Sequence, residues 1–274
     1  MTAKYLVKAA VQAPLRTVLE RLTKATHSGG KPFPFGVSHL RSGMTLNCCV
    51  AYNKYGGYCV PVSGLHRPAA QTILAGSVWE AGTIEFITGH CGGGDIVHAG
   101  TFFGDFLPAL GAAAASDAKV WAFEPHPESY RCAAITIELN GLTSIELTNA
   151  GLGDHLAFHT LVTHDFSGVP LGGSSQVAPA AGDNWQPRGR SSIPIQIVTI
   201  DDIVPQSRAI SIIHLDVEGY EERCLFGALR TIRQYRPIII VESVPGADWM
   251  SENLLPLGYG VLENIPPNTI LACR

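Results

Sequence analysis

The chain has 274 residues, a formal net charge of -4, 15% charged residues and 46% hydrophobic ones. Those proportions exclude a disordered chain and fit one large α/β core with a small extension. They also exclude a protein held to nucleic acid or to an anionic membrane by bulk charge. Seven cysteines, none in a C-x-x-C pair, argue against a disulfide framework or a zinc knuckle, so no metal is expected. No apolar run is long enough to span a bilayer, and residues 1–30 lack a signal-peptide core. A reduced, cytoplasmic protein is the expectation.

Residues 4–26 place Leu6, Val7, Ala10, Val11, Leu15, Val18, Leu19 and Leu22 at helical spacing, interrupted at Pro14. A Gly/Pro/Ser linker follows over residues 27–36. Residues 45–62 read as a hairpin turning at residues 53–57, and helices are expected around 67–75 and 78–87. Residues 1–77 are therefore a small N-terminal α+β extension, a cap or adaptor, before a main domain over residues 78–274.

From Asp95 the texture changes. Apolar runs at 96–97, 120–123, 145–147, 210–215 and 238–241 alternate with helical stretches at 102–115, 128–140 and 220–235. Strands too apolar to face water, separated by helices, make a parallel sheet covered on both sides. Residues 260–265 and 269–273, joined by Pro266-Pro267-Asn268, form a closing hairpin, hence one antiparallel strand near the sheet edge. Among nucleotide-type α/β folds that feature favours methyltransferases over dehydrogenases.

Three runs carry candidate chemistry. In His98-Ala99-Gly100-Thr101-Phe102-Phe103-Gly104 a strand enters a Gly-containing turn ahead of a helix, where backbone N–H groups can meet an anion. Gly100 permits close approach and Gly104 permits helix packing, although an ordinary βα turn would use the same residues. Glu124 ends the next strand, 20 residues after Gly104, and suits the two ribose hydroxyls of an adenosine. Pro125 stops that strand, and His126 opens the next helix. The ligand at this point could still be a nicotinamide or an S-adenosylmethionine cofactor. The third run, His214-Leu215-Asp216-Val217-Glu218-Gly219-Tyr220-Glu221, sets carboxylates at the carboxyl end of a buried strand. Glu221 is explained by the dipole of the following helix, whereas Asp216 belongs on the sheet rim. Glu242, after residues 238–241, would share that rim. Ala150 and Gly151 lie in a turn that could border an adenine. Residues 170–190 form a polar, Gly/Ser-containing loop suited to a mobile lid.

The runs VWAFEPHPESYRCAAITIELNGL (residues 120–142), HLDVEGYEERCLFG (214–227) and PIIIVES (237–243) resemble the FkbM-type S-adenosylmethionine-dependent methyltransferases. The likeness extends over about residues 79–241. It implies a class I methyltransferase-like fold: α/β, doubly wound, seven-stranded and mostly parallel, with a terminal antiparallel hairpin. The family's first motif reads Asp-x-Gly-Ala-Asn-x-Gly, and here His98, Thr101 and Phe102 replace its Asp, Ala and Asn. The cofactor set implied is His98, Gly100, Thr101, Gly104, Glu124, Pro125, His126, Ala150 and Gly151. Asp216 is the expected base, with Glu218, His214 and Glu242 as alternatives. The resemblance implies methyl transfer to a hydroxyl of a small-molecule or saccharide acceptor, without nucleic acid or membrane, and with homo-oligomers allowed. The alternatives are a non-catalytic adenosyl-binding protein and an NAD-dependent oxidoreductase; the closing hairpin and the lack of G-x-G-x-x-G disfavour the latter.

Overall fold

The structure, a computed structural model, describes residues 46–178 and 190–273. The expected helix over residues 4–26 and the linker at 27–36 lie outside these residues. Strands β1 (Cys48–Asn53) and β2 (Gly56–Pro61) form the expected hairpin. The Asn53 side chain closes its turn by accepting the Tyr55 N–H at 2.9 Å. Helix α1 (Pro68–Leu74) starts on a proline whose missing N–H costs nothing there. Helix α2 (Ala81–His90) begins three residues later than its pattern suggests, because Glu80 is left-handed (φ 43°) and cannot lie inside a helix.

The core runs through β3 (Asp95–Ala99), α3 (Leu107–Ala113), β4 (Val120–Phe123), α4 (Pro127–Asn140) and β5 (Ile145–Thr148). A second sheet follows, from β6 (Gly151–Leu152), β7 (Ala157–Val162), β8 (Gln176–Val177) and β9 (Ser192–Val198). The main sheet resumes with α5 (Ile200–Ile203), β10 (Ile210–Leu215), α6 (Glu221–Phe226), α7 (Leu229–Tyr235) and β11 (Ile238–Val241). Helix α8 (Ala247–Asn253) leads into β12 (Tyr259–Ile265) and β13 (Asn268–Cys273).

The main sheet has the order β12-β13-β11-β10-β3-β4-β5. Pairings from β5 to β11 are parallel, and β13 is antiparallel to both β11 and β12. The doubly wound, seven-stranded sheet and its closing hairpin are therefore as expected. Alternation along the strands divides the core. Val97, Ala99, Ile213 and Leu215 face α6 and α7, whereas Ile96, Ile212, Val120 and Ala122 face α2 and α3. Each of the buried Val, Ile and Leu side chains among them is worth about 1.5–3 kcal/mol of transfer free energy.

Helix α4 shows how sequence sets the docking of the N-terminal hairpin. Pro127 starts it, Glu128 suits its dipole, and Gly141 ends it at a left-handed φ of 62°. Its buried face carries Ser129, Cys132, Ala133 and Thr136, the i, i+3, i+4, i+7 spacing of an inward stripe. Thr136 Oγ1 accepts the Cys59 N–H and donates to the Phe103 carbonyl. Asn140 completes the joint, accepting from the Gly57 N–H at 2.9 Å and donating to the Gly57 carbonyl at 2.7 Å.

Three local expectations differ from the structure. The helix expected over residues 102–115 spans only Leu107–Ala113, because Phe102 (φ 48°) and Gly104 (φ 87°) hold a turn ahead of it. The helix expected over 220–235 is two helices, parted where Gly227 passes the backbone of Gly153; a Cβ there would lie 2.0 Å from the Gly153 oxygen. Asp201 nucleates the second piece by accepting from the N–H groups of Arg230 and Thr231. The second sheet had no counterpart in the pattern, and β8 lies inside the segment read as a loose loop. No helix of the described residues is long and apolar enough to cross a membrane.

Candidate active site

The carboxyl ends of β3, β4 and β10 open on a cleft roofed by the second sheet and by a tight turn at residues 172–174. Counting its mouth the cleft encloses about 500 Å³. Gly100, Glu124, Pro125, Gly151, Asp216 and Glu218 line it, so six of the expected residues converge.

Glu124 is buried, and its two oxygens accept the backbone N–H groups of Phe102 and His126, each at 2.7 Å. Burial pushes its pKa up to about 8, against the lowering pull of those two hydrogen bonds. Each carboxylate oxygen has two lone-pair sites, so a ribose diol can still be accepted. The turn that supplies the Phe102 N–H holds a bulky residue in the left-handed region, at a cost of about 1–2 kcal/mol. Asn149 braces the same corner by donating to the Glu124 carbonyl at 2.8 Å.

Asp216 follows β10 and shares the cleft. Burial pushes its pKa up to about 8, helped by the nearby carboxylates Glu80, Glu242, Glu218 and Asp105. Asp105, itself buried, is likewise raised to about 8, chiefly by burial and then by Glu80. Glu218 is left-handed (φ 54°) and is raised by burial, with a hydrogen bond from Ser174 opposing.

Gly100 lines the cleft, as its motif suggests, and has a packing role besides. Its φ of 85° and a Cβ position only 1.8 Å from the Asp216 carbonyl oxygen make it the point where the chain leaving β3 lies closest to the chain leaving β10. Gly104 faces Leu107 and Thr136 in the core, and Thr101 and Ala150 are buried away from the cleft.

His98 and His214 also lie apart from the cleft. Neighbours on β3 and β10, they point to the opposite face of the sheet, stacked on each other and on Phe106 with ring centroids 5.0–5.2 Å apart. Their Nδ1 atoms are 2.9 Å apart, so one ring donates and the other accepts. Burial holds both well toward the neutral form, His214 down to about 4. His126 meets Glu124 through its backbone alone, and the exposed Glu242 stands outside the lining. Pattern reading missed Leu161, Val177 and Tyr220, which line the cleft from the second sheet and the start of α6. The aromatic and β-branched content of residues 158–163 (Phe158, Thr160, Val162, Thr163) was the available signal.

The residues present fit S-adenosylmethionine in chemistry: a buried carboxylate at the tip of β4 for the ribose, an apolar wall beside it and a carboxylate across the cleft. A seven-stranded sheet with one inserted antiparallel strand, bearing that acidic residue at the tip of its second core strand, is the class I methyltransferase fold. The model of the methyltransferase FkbM domain matches residues 91–254, and the chain belongs to that family, whose methyl donor is S-adenosylmethionine.

Among solved structures the chain is similar to methyltransferase FkbM from Methylobacillus flagellatus, at 20% identity, TM-score 0.40, over 65% of this chain and 43% of that one. It is also similar to the Pyrococcus abyssi tRNA (uracil-54, C5)-methyltransferase in complex with S-adenosyl-L-homocysteine. There the identity is 10% and the TM-score 0.41, over 83% of this chain and 44% of that one. M. jannaschii TYW2 in complex with AdoMet gives 11% and 0.43, over 83% and 84%. The chain thus spans less than half the length of the first two. No curated protein sequence matches it.

Proposed function

We propose that the chain transfers a methyl group from S-adenosylmethionine to a hydroxyl oxygen of a small-molecule or saccharide acceptor, in a domain spanning residues 78–274. One observation carries this reading: Glu124 and Asp216 stand in the same cleft, at the tips of β4 and β10. The hydroxyl and saccharide class rests on the family likeness alone.

When bound, the cofactor supplies a methyl group already activated by its positively charged sulfur. Glu124 accepts the ribose hydroxyls and fixes the adenosine end. Gly100 and Gly151 keep the cleft floor free of side chains, while Leu161, Val177 and Leu152 exclude water from the apolar wall. Asp216 accepts the proton of the acceptor hydroxyl as that oxygen gains the methyl. With a pKa near 8 it is a stronger base than an ordinary carboxylate and is still substantially ionised in mild alkali. Glu218, beside it, is placed to orient the acceptor.

Calorimetric titration with S-adenosylhomocysteine and with NAD tests the cofactor. Micromolar binding of S-adenosylhomocysteine with none of NAD supports the reading, and the reverse result restores the oxidoreductase. Incubating the cofactor with panels of hydroxylated and amine acceptors, read by mass spectrometry, decides the acceptor class. A product methylated only on nitrogen would overturn the hydroxyl assignment.

A further inference from the structure

The roof of the cleft rests on one side chain. Phe102 is buried, and its ring edge lies beneath Gly172 and Gly173, 3.1 Å and 3.3 Å from where their Cβ atoms would stand. The same ring meets Gly64, 3.0 Å from its Cβ position, and packs on Phe103 at a centroid distance of 4.7 Å. A Cβ at Gly172 or Gly173 would press on this ring and force it to give by a few tenths of an ångström, so the glycines let the roof turn sit directly on it. The backbone of the residue does something else: its N–H holds Glu124 Oε2 at 2.7 Å. Both contacts are made with Phe102 in the left-handed region, at φ 48°. The far edge of the roof is tied down separately. His66 pairs with the Pro170 carbonyl at 2.9 Å, Arg67 donates to Ser174, and Ser174 meets Glu218.

We infer that Phe102 is a positioning residue that couples the roof of the cleft to Glu124, so that access to the cleft and the setting of the ribose-binding carboxylate are one event. This rests on the proposed cofactor site. Gly172, Gly173, Ser175 and Val177 line the cleft, so a ligand that enters beneath them lifts residues 170–177, and lifting them strips the Phe102 ring of its cover. A ring exposed in a strained turn is free to relax, and relaxation withdraws the N–H from Glu124. Closure over bound ligand reverses both steps.

The test separates ring from backbone. Phe102→Asn keeps a residue at ease in the left-handed region and keeps the N–H, but removes the ring. Amide exchange across residues 170–177 should accelerate about tenfold or more, while exchange in β3, β4 and β10 stays protected. Stopped-flow binding of S-adenosylhomocysteine should show association and dissociation both faster, with a smaller change in Kd. Phe102→Leu, which restores apolar bulk, should fall between parent and Phe102→Asn, and it carries the same reading if the Asn variant does not fold. Unchanged roof exchange in a folded variant overturns the role of Phe102 even where the ligand binds. Accelerated roof exchange in Phe102→Asn, with a parent that binds no S-adenosylhomocysteine, overturns the cofactor reading instead, together with the coupling to it.

Discussion

The Nδ1 atoms of His98 and His214 lie 2.9 Å apart in a stack with Phe106, and each ring's Nε2 is buried without a partner. Both rings are held neutral by burial. An unfolded histidine binds a proton below about pH 6.5, whereas folded His214 resists until about 4. The unfolded state therefore takes up more protons across that window, and the pair's contribution to stability falls as the pH drops through it. For His214 the full effect is on the order of 3 kcal/mol. Asp105, Glu124 and Asp216 act in the opposite sense: raised to about 8, they stabilise below pH 4 and lose that contribution as the pH climbs through 8. The histidine effect is thus read as a difference. Urea midpoints at pH 7 and pH 5 should diverge between the parent and a His98→Leu/His214→Leu double variant, with the variant gaining relative stability at pH 5. Parallel behaviour of the two proteins would show that the pair is not neutral.

Glu124→Ala should weaken S-adenosylhomocysteine binding roughly a hundredfold, the loss of a charge-assisted bidentate contact. Because its carboxyl sits near 8 in the free protein, and the ionised form accepts a diol best, parental affinity should rise between pH 6 and pH 9. Calorimetry at three pH values checks both statements. A flat profile with undiminished affinity in the variant would remove Glu124 from the site.

How much of this was legible follows from where the determinants lie. Residues 120–123 are apolar throughout, and residues 210–215 apart from Ser211 and His214, because their strands are covered on both faces, so composition and burial agreed. Glu124 was legible because a strand tip next to a proline leaves an acidic side chain few other uses. The second sheet was not, since β6 and β8 are two residues each and β9 carries Pro194, which pattern reading counts against a strand. The side His98 faces was also hidden. Motif order placed it at the cofactor, but strand alternation turns it, like Ile96, toward α2 and α3. Spacing gives a residue's position along the chain; only the pairing register gives its face.

Gly100 tests the difference between motif and packing. A motif glycine facing a ligand would tolerate folding when replaced and lose only binding, and the Gly100→Val substitution would then give a folded, non-binding protein. The geometry predicts otherwise. A Cβ would stand 1.8 Å from the Asp216 oxygen, backbone that cannot move without parting β3 from β10. Even Gly100→Ala, strained further by a φ of 85°, should cost about 3 kcal/mol or more and lower the melting temperature by several degrees. A melting curve matching the parent would refute the packing role of Gly100.

Asp216→Asn isolates the proposed base, because it keeps the shape and removes the charge. With an acceptor identified, the rate of methyl transfer should fall by about 10²–10⁴, the usual cost of losing a general base, while Kd for S-adenosylhomocysteine changes little. The parental rate should climb with pH through an inflection near 8, since the proton must leave Asp216 before that carboxylate can accept another. In the variant that inflection should vanish. Part of the elevation comes from Glu80, Glu242 and Glu218, so Glu242→Gln, which removes one exposed neighbouring charge, should move the parental inflection toward lower pH. Near-parental turnover in Asp216→Asn would transfer the role to Glu218, the remaining expected carboxylate that lines the cleft. A collapse of cofactor affinity would instead make Asp216 a cofactor ligand.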